Sequence, residues 1–160
     1  MKEKLIETAS RLKQPPPLAV DEFTQQHEVL ALLGNQVIAQ RADFEKLVGP
    51  GNHAMAEDNN RNFARFMVSL FSEYSPMVFV ETVLWVFRAY RSHGFQTVYW
   101  AANINIWLDI LREKLSDETF AAISPFYTWL SVNIPVFVKL TDKGLAESVT
   151  MDDNRGAPES

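Results

Sequence analysis

The chain has 160 residues and no cysteine, which excludes disulfides, thiolate zinc sites, cysteine nucleophiles and thioether-linked pigments. Histidine is nearly as scarce. Its three copies, His27, His53 and His93, stand far apart, so none has another histidine at metal-ligand spacing. The six glycines form neither a phosphate-binding loop nor a G-x-S-x-G elbow, and no H-E-x-x-H occurs. Clusters of Lys and Arg are missing as well. With a net charge of −5 and a pI near 5.2, the chain carries no electrostatic footprint for nucleic acid or anionic lipid. The most apolar run, Pro76 to Phe87, is interrupted by Glu81 and is shorter than the roughly 20 residues a membrane span needs. The start, Met-Lys-Glu-Lys-Leu-Ile-Glu, lacks the basic-then-apolar layout of a secretory signal. A cytoplasmic protein with no metal, no nucleic-acid partner and no membrane span is expected.

What is present is an ordinary globular composition, 47% hydrophobic and 22% charged, at a length suited to one domain with a substantial core. Most of the aromatic residues lie between Phe79 and Phe137, and because aromatics bury more area than other side chains the core is expected there.

Helical periodicity dominates the chain. Leu5, Ile6, Ala9 and Leu12 predict a short amphipathic helix over residues 2–13, ended by Pro15-Pro16-Pro17. Residues 1–20 thus read as an arm and proline linker that is mobile or docks on a partner. From Asp21 to about Val48 a mostly helical period continues, with a break or bend expected at Gly34, and Gly49-Pro50-Gly51-Asn52 is the clearest loop. Phe63, Phe66, Met67, Leu70, Phe71 and Tyr74 occupy one helix face, predicting a helix over 57–73. Ser75-Pro76 supplies a capping hydroxyl and a proline at the first helical position. The helix it opens should stop at Gly94 and be buried on most sides. Another is expected from Gln96 to Leu115, and a last one from Ser116 to Leu140, restarted or kinked at Pro125 and Pro135. The polar stretch 141–160 reads as a disordered acidic tail.

Few residues offer chemistry. Glu81 is the only charge in the run 76–87, so a partner such as Arg65 or Arg88 is expected for it. No paired acid–base signature accompanies it, and the chain reads as non-enzymatic. His93, at a helix end before Gly94, is either a donor near the last carbonyls or, in an alternative reading, the proximal ligand of a haem. Around Tyr99 to Trp107 aromatics alternate with amides. Tyr99, Asn103 and Ile106 share a helix face and could line a pocket for a small apolar ligand such as a fatty acyl chain.

Taken together, Ala89-Tyr90-Arg91-Ser92-His93-Gly94-Phe95, then Tyr99, Ala102, Trp107 and Leu111, then a Ser-Pro-bearing last helix from Phe120 to Leu140, resemble the N-terminal globin-like sensor domain of RsbR-type stressosome proteins over residues 25–140. The resemblance implies an all-α, globin-like bundle of about six helices at 21–140. It also implies no haem, and a sensory role in bacterial stress signalling exercised through protein contacts. A homodimer formed by the last helices follows from it too, for which Trp107 and Trp129 are the expected anchors. Family members continue into a STAS domain, whereas here an acidic polar stretch occupies residues 141–160.

Overall fold

The computed structural model describes the backbone of residues 1–155 and the side chains of residues 1–142. The described residues are all-helical, with seven helices and no strand: α1 (Lys2–Ala9), α2 (Pro17–Ala39), α3 (Phe44–Val48), α4 (His53–Ser72), α5 (Pro76–Ser92), α6 (Thr97–Lys114) and α7 (Asp117–Arg155). Residues 21–48, read as mostly helical, divide into α2 and α3, the latter a single turn with Phe44, Leu47 and Val48 buried; such a short piece leaves too little periodicity to be delimited from sequence.

α2 is the central element. It packs against α4, α6 and α7, while α6 lies on α7 and α7 on α5. The N-terminal segment is therefore part of the bundle, with Phe23, Leu30 and Ile38 almost fully buried. Gly34 does not break the helix, because α2 runs through it. The position packs beside Asn60 and Trp107, and tertiary contact outweighs glycine's cost of roughly 1 kcal/mol in a helix interior.

The arm is also docked, on its own chain. Leu5 and Ala9 are buried on α5 and α7, Trp129 Nε1 donates to Thr8 Oγ1 at 3.0 Å, and Tyr74 OH donates to the Ala9 carbonyl. Gln14 then ties the following turn to the end of α4. Its Nε2 donates to the Phe71 carbonyl and its Oε1 accepts from Tyr74 N at 2.8 Å.

Local capping sets the later boundaries. Ser75 Oγ accepts from Val78 N at 3.3 Å with Pro76 at the first position of α5. At the other end Phe95 N donates to the Tyr90 carbonyl and Gly94 N to that of Arg91, with Gly94 at φ +102°. These two bonds and a Tyr90–Phe95 edge-to-face contact at 5.0 Å make a complete Schellman motif. The reversal is pinned from outside by Gln96 N, which donates to the Leu47 carbonyl at 2.8 Å, and by Asn52 Nδ2, which donates to that of His93 at 2.8 Å.

Three further expectations are corrected. α5 is not buried on most sides: Met77, Val78 and Trp85 are exposed, since its packing partners are α7 and α1. The last helix does not restart at its prolines: α7 is a single helix through Pro125 and Pro135, both on its exposed side, while Ile123, Phe126, Leu130 and Phe137 hold the opposite side in the core. It also continues to Arg155, through most of the stretch read as a disordered tail. Thr141 Oγ1 bonds the Phe137 carbonyl at 2.8 Å, and Arg91 grips the Val138 carbonyl, Thr141 and Asp142. An anchored helix extends at much lower cost than a new one nucleates. Residues 156–160 of that tail lie outside the described residues. By length and composition Asp117–Asp142 of α7 could cross a membrane, a possibility the short run at 76–87 does not reveal. About 33% of its most apolar stretch is buried in the bundle, through Ile123, Phe126, Leu130 and Phe137.

Candidate functional site

An apolar cavity lies between α4, α5 and α6, with a volume of about 310 Å³. Helical spacing builds its walls. α4 contributes Asn59, Asn62, Phe63 and Phe66, α6 contributes Trp100, Asn103 and Ile104, and α5 contributes residues from Thr82 to Tyr90, with Leu130 of α7 closing one side. Phe63, Phe66, Trp85, Phe87, Tyr90 and Trp100 make the wall largely aromatic, and no charged side chain lines it. Trp100 is held rigidly, stacked on Phe87 at a centroid distance of 4.4 Å and 16° and approached edge-on by Tyr90 at 6.0 Å.

Behind this wall runs a chain of buried amides. Asn60 Nδ2 donates to Asn35 Oδ1 at 2.8 Å, and Asn60 Oδ1 accepts from both Asn103 Nδ2 and Trp107 Nε1 at 2.9 Å. Asn59 Nδ2 donates to Tyr99 OH at 3.0 Å. The network joins α2, α4 and α6 and fixes the orientation of the Asn103 amide, since its nitrogen is committed to Asn60. Its Oδ1 is left without a partner, and Trp100 Nε1 is unpaired too. Both residues are at least nine-tenths buried and both line the cavity. A third unpaired group, Tyr127 OH, lies in the core away from the cavity lining.

The tyrosines near the site are held neutral. Burial pushes the Tyr99 phenol well up, against the smaller opposing effect of the Asn59 hydrogen bond. Burial also raises Tyr90, helped by the nearby charge of Asp58.

Of the residues singled out from sequence, Asn103 lines the cavity. Tyr99 is fully buried one layer behind, where it accepts the Asn59 hydrogen bond, and Ile106 is half-buried outside the lining. The shared face is real, but the cavity opens on the side of α6 marked by Trp100, Asn103 and Ile104. Trp107 is corrected as an interface anchor. It is fully buried, edge-on to Phe63 and stacked near Tyr127, with its N–H spent on Asn60. Trp129 is covered by α1 of its own chain and bonded to Thr8.

His93 is exposed at the turn after α5 and lies outside the cavity lining, so the apolar wall and that imidazole occupy different places. Glu81 is exposed and pairs with Lys2 rather than with Arg65 or Arg88. Among the described residues no group of three His, Asp or Glu side chains gathers as a metal site.

Sequence reasoning missed the α4 and α5 walls. Asn59-Asn60, two adjacent amides in a helix that is otherwise a clean amphipath, were the available signal. No family model matches the chain, and neither a curated protein nor a solved structure matches it.

Proposed function

We propose that the chain is a non-enzymatic, globin-like sensory domain that binds a small, mostly apolar molecule between α4, α5 and α6 and reports its occupancy through protein contacts. The observation that carries this reading is the cavity, whose 310 Å³ falls at the lower end of the range of small-molecule sites. Its walls are mostly aromatic and aliphatic, with the Thr82 and Tyr90 hydroxyls and three asparagine amides, and hold no charged side chain. An uncharged, largely apolar lining supports binding rather than catalysis. The RsbR-type resemblance supports a role in bacterial stress signalling, as a cytoplasmic homodimer acting on a signalling partner. Signal transfer would run through α5. It lines one side of the cavity and meets the rest of the bundle through α7 and α1, so a filled cavity would act on the helices expected to make the dimer.

Thermal unfolding tests the binding half. Saturating naphthalene should raise the midpoint by a few degrees through mass action, and Val86→Phe, which fills the cavity, should remove the effect. An unmoved midpoint in the wild-type chain, or an equal rise in Val86→Phe, would overturn the reading. Sedimentation at high micromolar concentration tests the homodimer, and a strictly monomeric chain counts against it.

A further inference from the structure

The two ends of the cavity differ in chemistry. α4 and α5 are joined by residues 73–75 and run antiparallel, so that Phe66 meets Phe79 at a centroid distance of 6.5 Å, while one turn back along α4 the Asn62 amide stands beside the Tyr90 hydroxyl. Asn59, a further turn back on the same helix face, completes a polar end. The other end is apolar. Phe66 and Val83 form it with Leu130, which lies one turn past Phe126, itself 6.1 Å from Phe79. Thr82 is half-exposed and belongs to the outer edge with Trp85, which is 65% exposed. Two polar atoms of α6 are out of reach. Trp100 Nε1 and Asn103 Oδ1 have no partner but also essentially no accessible surface, so a molecule in the cavity gains only apolar contact from those residues. Asn62, by contrast, is exposed while it lines the cavity, and its amide can meet a ligand.

From this asymmetry we infer that the cavity recognises an uncharged aromatic molecule with one polar group, of the phenol or aryl-alcohol class, whose hydroxyl lies between Asn62 and Tyr90 and whose ring fills the apolar end. The inference rests on the small-molecule reading above and specifies its ligand class. A single polar group follows from the apolar end, where a second one would be buried without a partner. Neutrality follows from the lining, which holds no charged side chain to offset the desolvation of an ion. An anion is opposed further by Asp58, whose negative charge is felt at Tyr90. A hydroxyl suits the polar end because it both donates and accepts, as do the Asn62 amide and the Tyr90 hydroxyl, so it matches them whichever way they are turned. Aromaticity follows from the walls of Phe63, Phe66, Phe87 and Trp100, against which a flat ring can stack or present an edge. Size follows from volume. The cavity of 310 Å³ is about twice an apolar cavity of ~150 Å³ that holds benzene, which fits roughly ten to fifteen non-hydrogen atoms.

Isothermal titration calorimetry of the full chain with a ligand series tests this. The probes are naphthalene, 2-naphthol, 2,6-naphthalenediol and 2-naphthoate at neutral pH. 2-Naphthol should bind at least about threefold tighter than naphthalene. The diol, which must push its second hydroxyl into the apolar end, should bind at least about tenfold weaker than 2-naphthol, and the naphthoate weaker than naphthalene. Tyr90→Phe removes the hydroxyl and keeps a ring against Phe95 and Trp100, and Asn62→Ala trims an exposed side chain. Each should cost 2-naphthol most of its advantage and leave naphthalene within about twofold. If naphthalene binds and 2-naphthol is no tighter, if the diol matches 2-naphthol, or if both variants keep the advantage, the single-hydroxyl inference fails and the small-molecule reading stands. If none of the four binds, both fail. The series on the unaltered chain reads selectivity independently of whether the variants fold.

Discussion

Asn60 is the residue on which the polar interior turns, and Asn60→Leu probes it with little change of volume. Its side chain is fully buried and makes three hydrogen bonds at 2.8–2.9 Å, to Asn35, Asn103 and Trp107. Leucine would strand Asn35 Oδ1, Asn103 Nδ2 and Trp107 Nε1. Trp107 is fully buried and Asn103 nearly so, so neither can turn to water and each should cost about 1–3 kcal/mol. Asn35 is slightly exposed and keeps its contact with the Glu57 carbonyl at 3.4 Å, so its share is smaller. Burying the leucine returns roughly 1.5–3 kcal/mol. The expected net loss is about 2 kcal/mol, a sizeable part of a typical stability of roughly 5–15 kcal/mol. Urea denaturation read by far-UV circular dichroism measures it, with the midpoint falling and the slope nearly unchanged. Asn133→Ala is the control, since that amide is half-buried on α7 and bonds only the Trp129 carbonyl in its own helix. It should cost less than about 1 kcal/mol. Adding Asn103→Leu to Asn60→Leu removes a stranded donor, so the double variant should lose about 1 kcal/mol less than the sum of the singles. A loss below about 1 kcal/mol for Asn60→Leu, or strict additivity, would refute the idea that this network is satisfied only as a unit.

Two glycines should respond in opposite directions. Gly94, at φ +102°, should lose about 1–2 kcal/mol on replacement by Val, although a new Cβ there meets open space. Gly34→Ala, whose Cβ would sit 3.7 Å from Asn60 and Trp107, should gain about 0.5–1 kcal/mol by urea denaturation. Leu5→Ala should cost about 2–5 kcal/mol, because Leu5 is 2% exposed; a loss of a few tenths would mean that α1 is not docked in solution. Alkali should destabilise the fold. Burial lifts Tyr74 from 10.0 to about 12 and raises Tyr99 and Tyr127 above 10.0, so the folded state retains protons that the unfolded chain releases. That stability is complete below pH 10.0 and declines as pH rises towards the folded values, by up to about 1.4 kcal/mol per pH unit for each tyrosine. Phenolate absorbance should therefore appear together with unfolding; phenolate forming near pH 10 in a folded chain would contradict it.

The elements legible in the sequence were those specified by neighbours along the chain. Ser75-Pro76 opens α5, Gly94 closes it in a left-handed conformation and Ser116 caps α7, each through groups within a few residues. Periodicity likewise announced α4 and the all-α class, because an apolar face recurring at 3.6 residues has few other solutions. Where prolines followed a core-facing pattern, at Pro125 and Pro135, local rules predicted interruption and the packed face of α7 prevailed. The candidate site was legible only as far as Asn103. Its neighbours Trp100, Phe63 and Phe87 sit on three helices, and the identity of a residue's own helix does not say which other helix will stand opposite.

Sequence by itself thus determined the helices, their caps and an aromatic core between Phe79 and Phe137, since propensity, capping and hydrophobic period act over one to four residues. Only the tertiary structure decided that α1 lies on its own chain, that Trp107 is interior and that Asn60 orders the amides behind the cavity. It alone left Trp100 Nε1 and Asn103 Oδ1 without partners. Those outcomes depend on which groups from distant segments meet, and a buried hydrogen bond, or the lack of one, is a property of the pair.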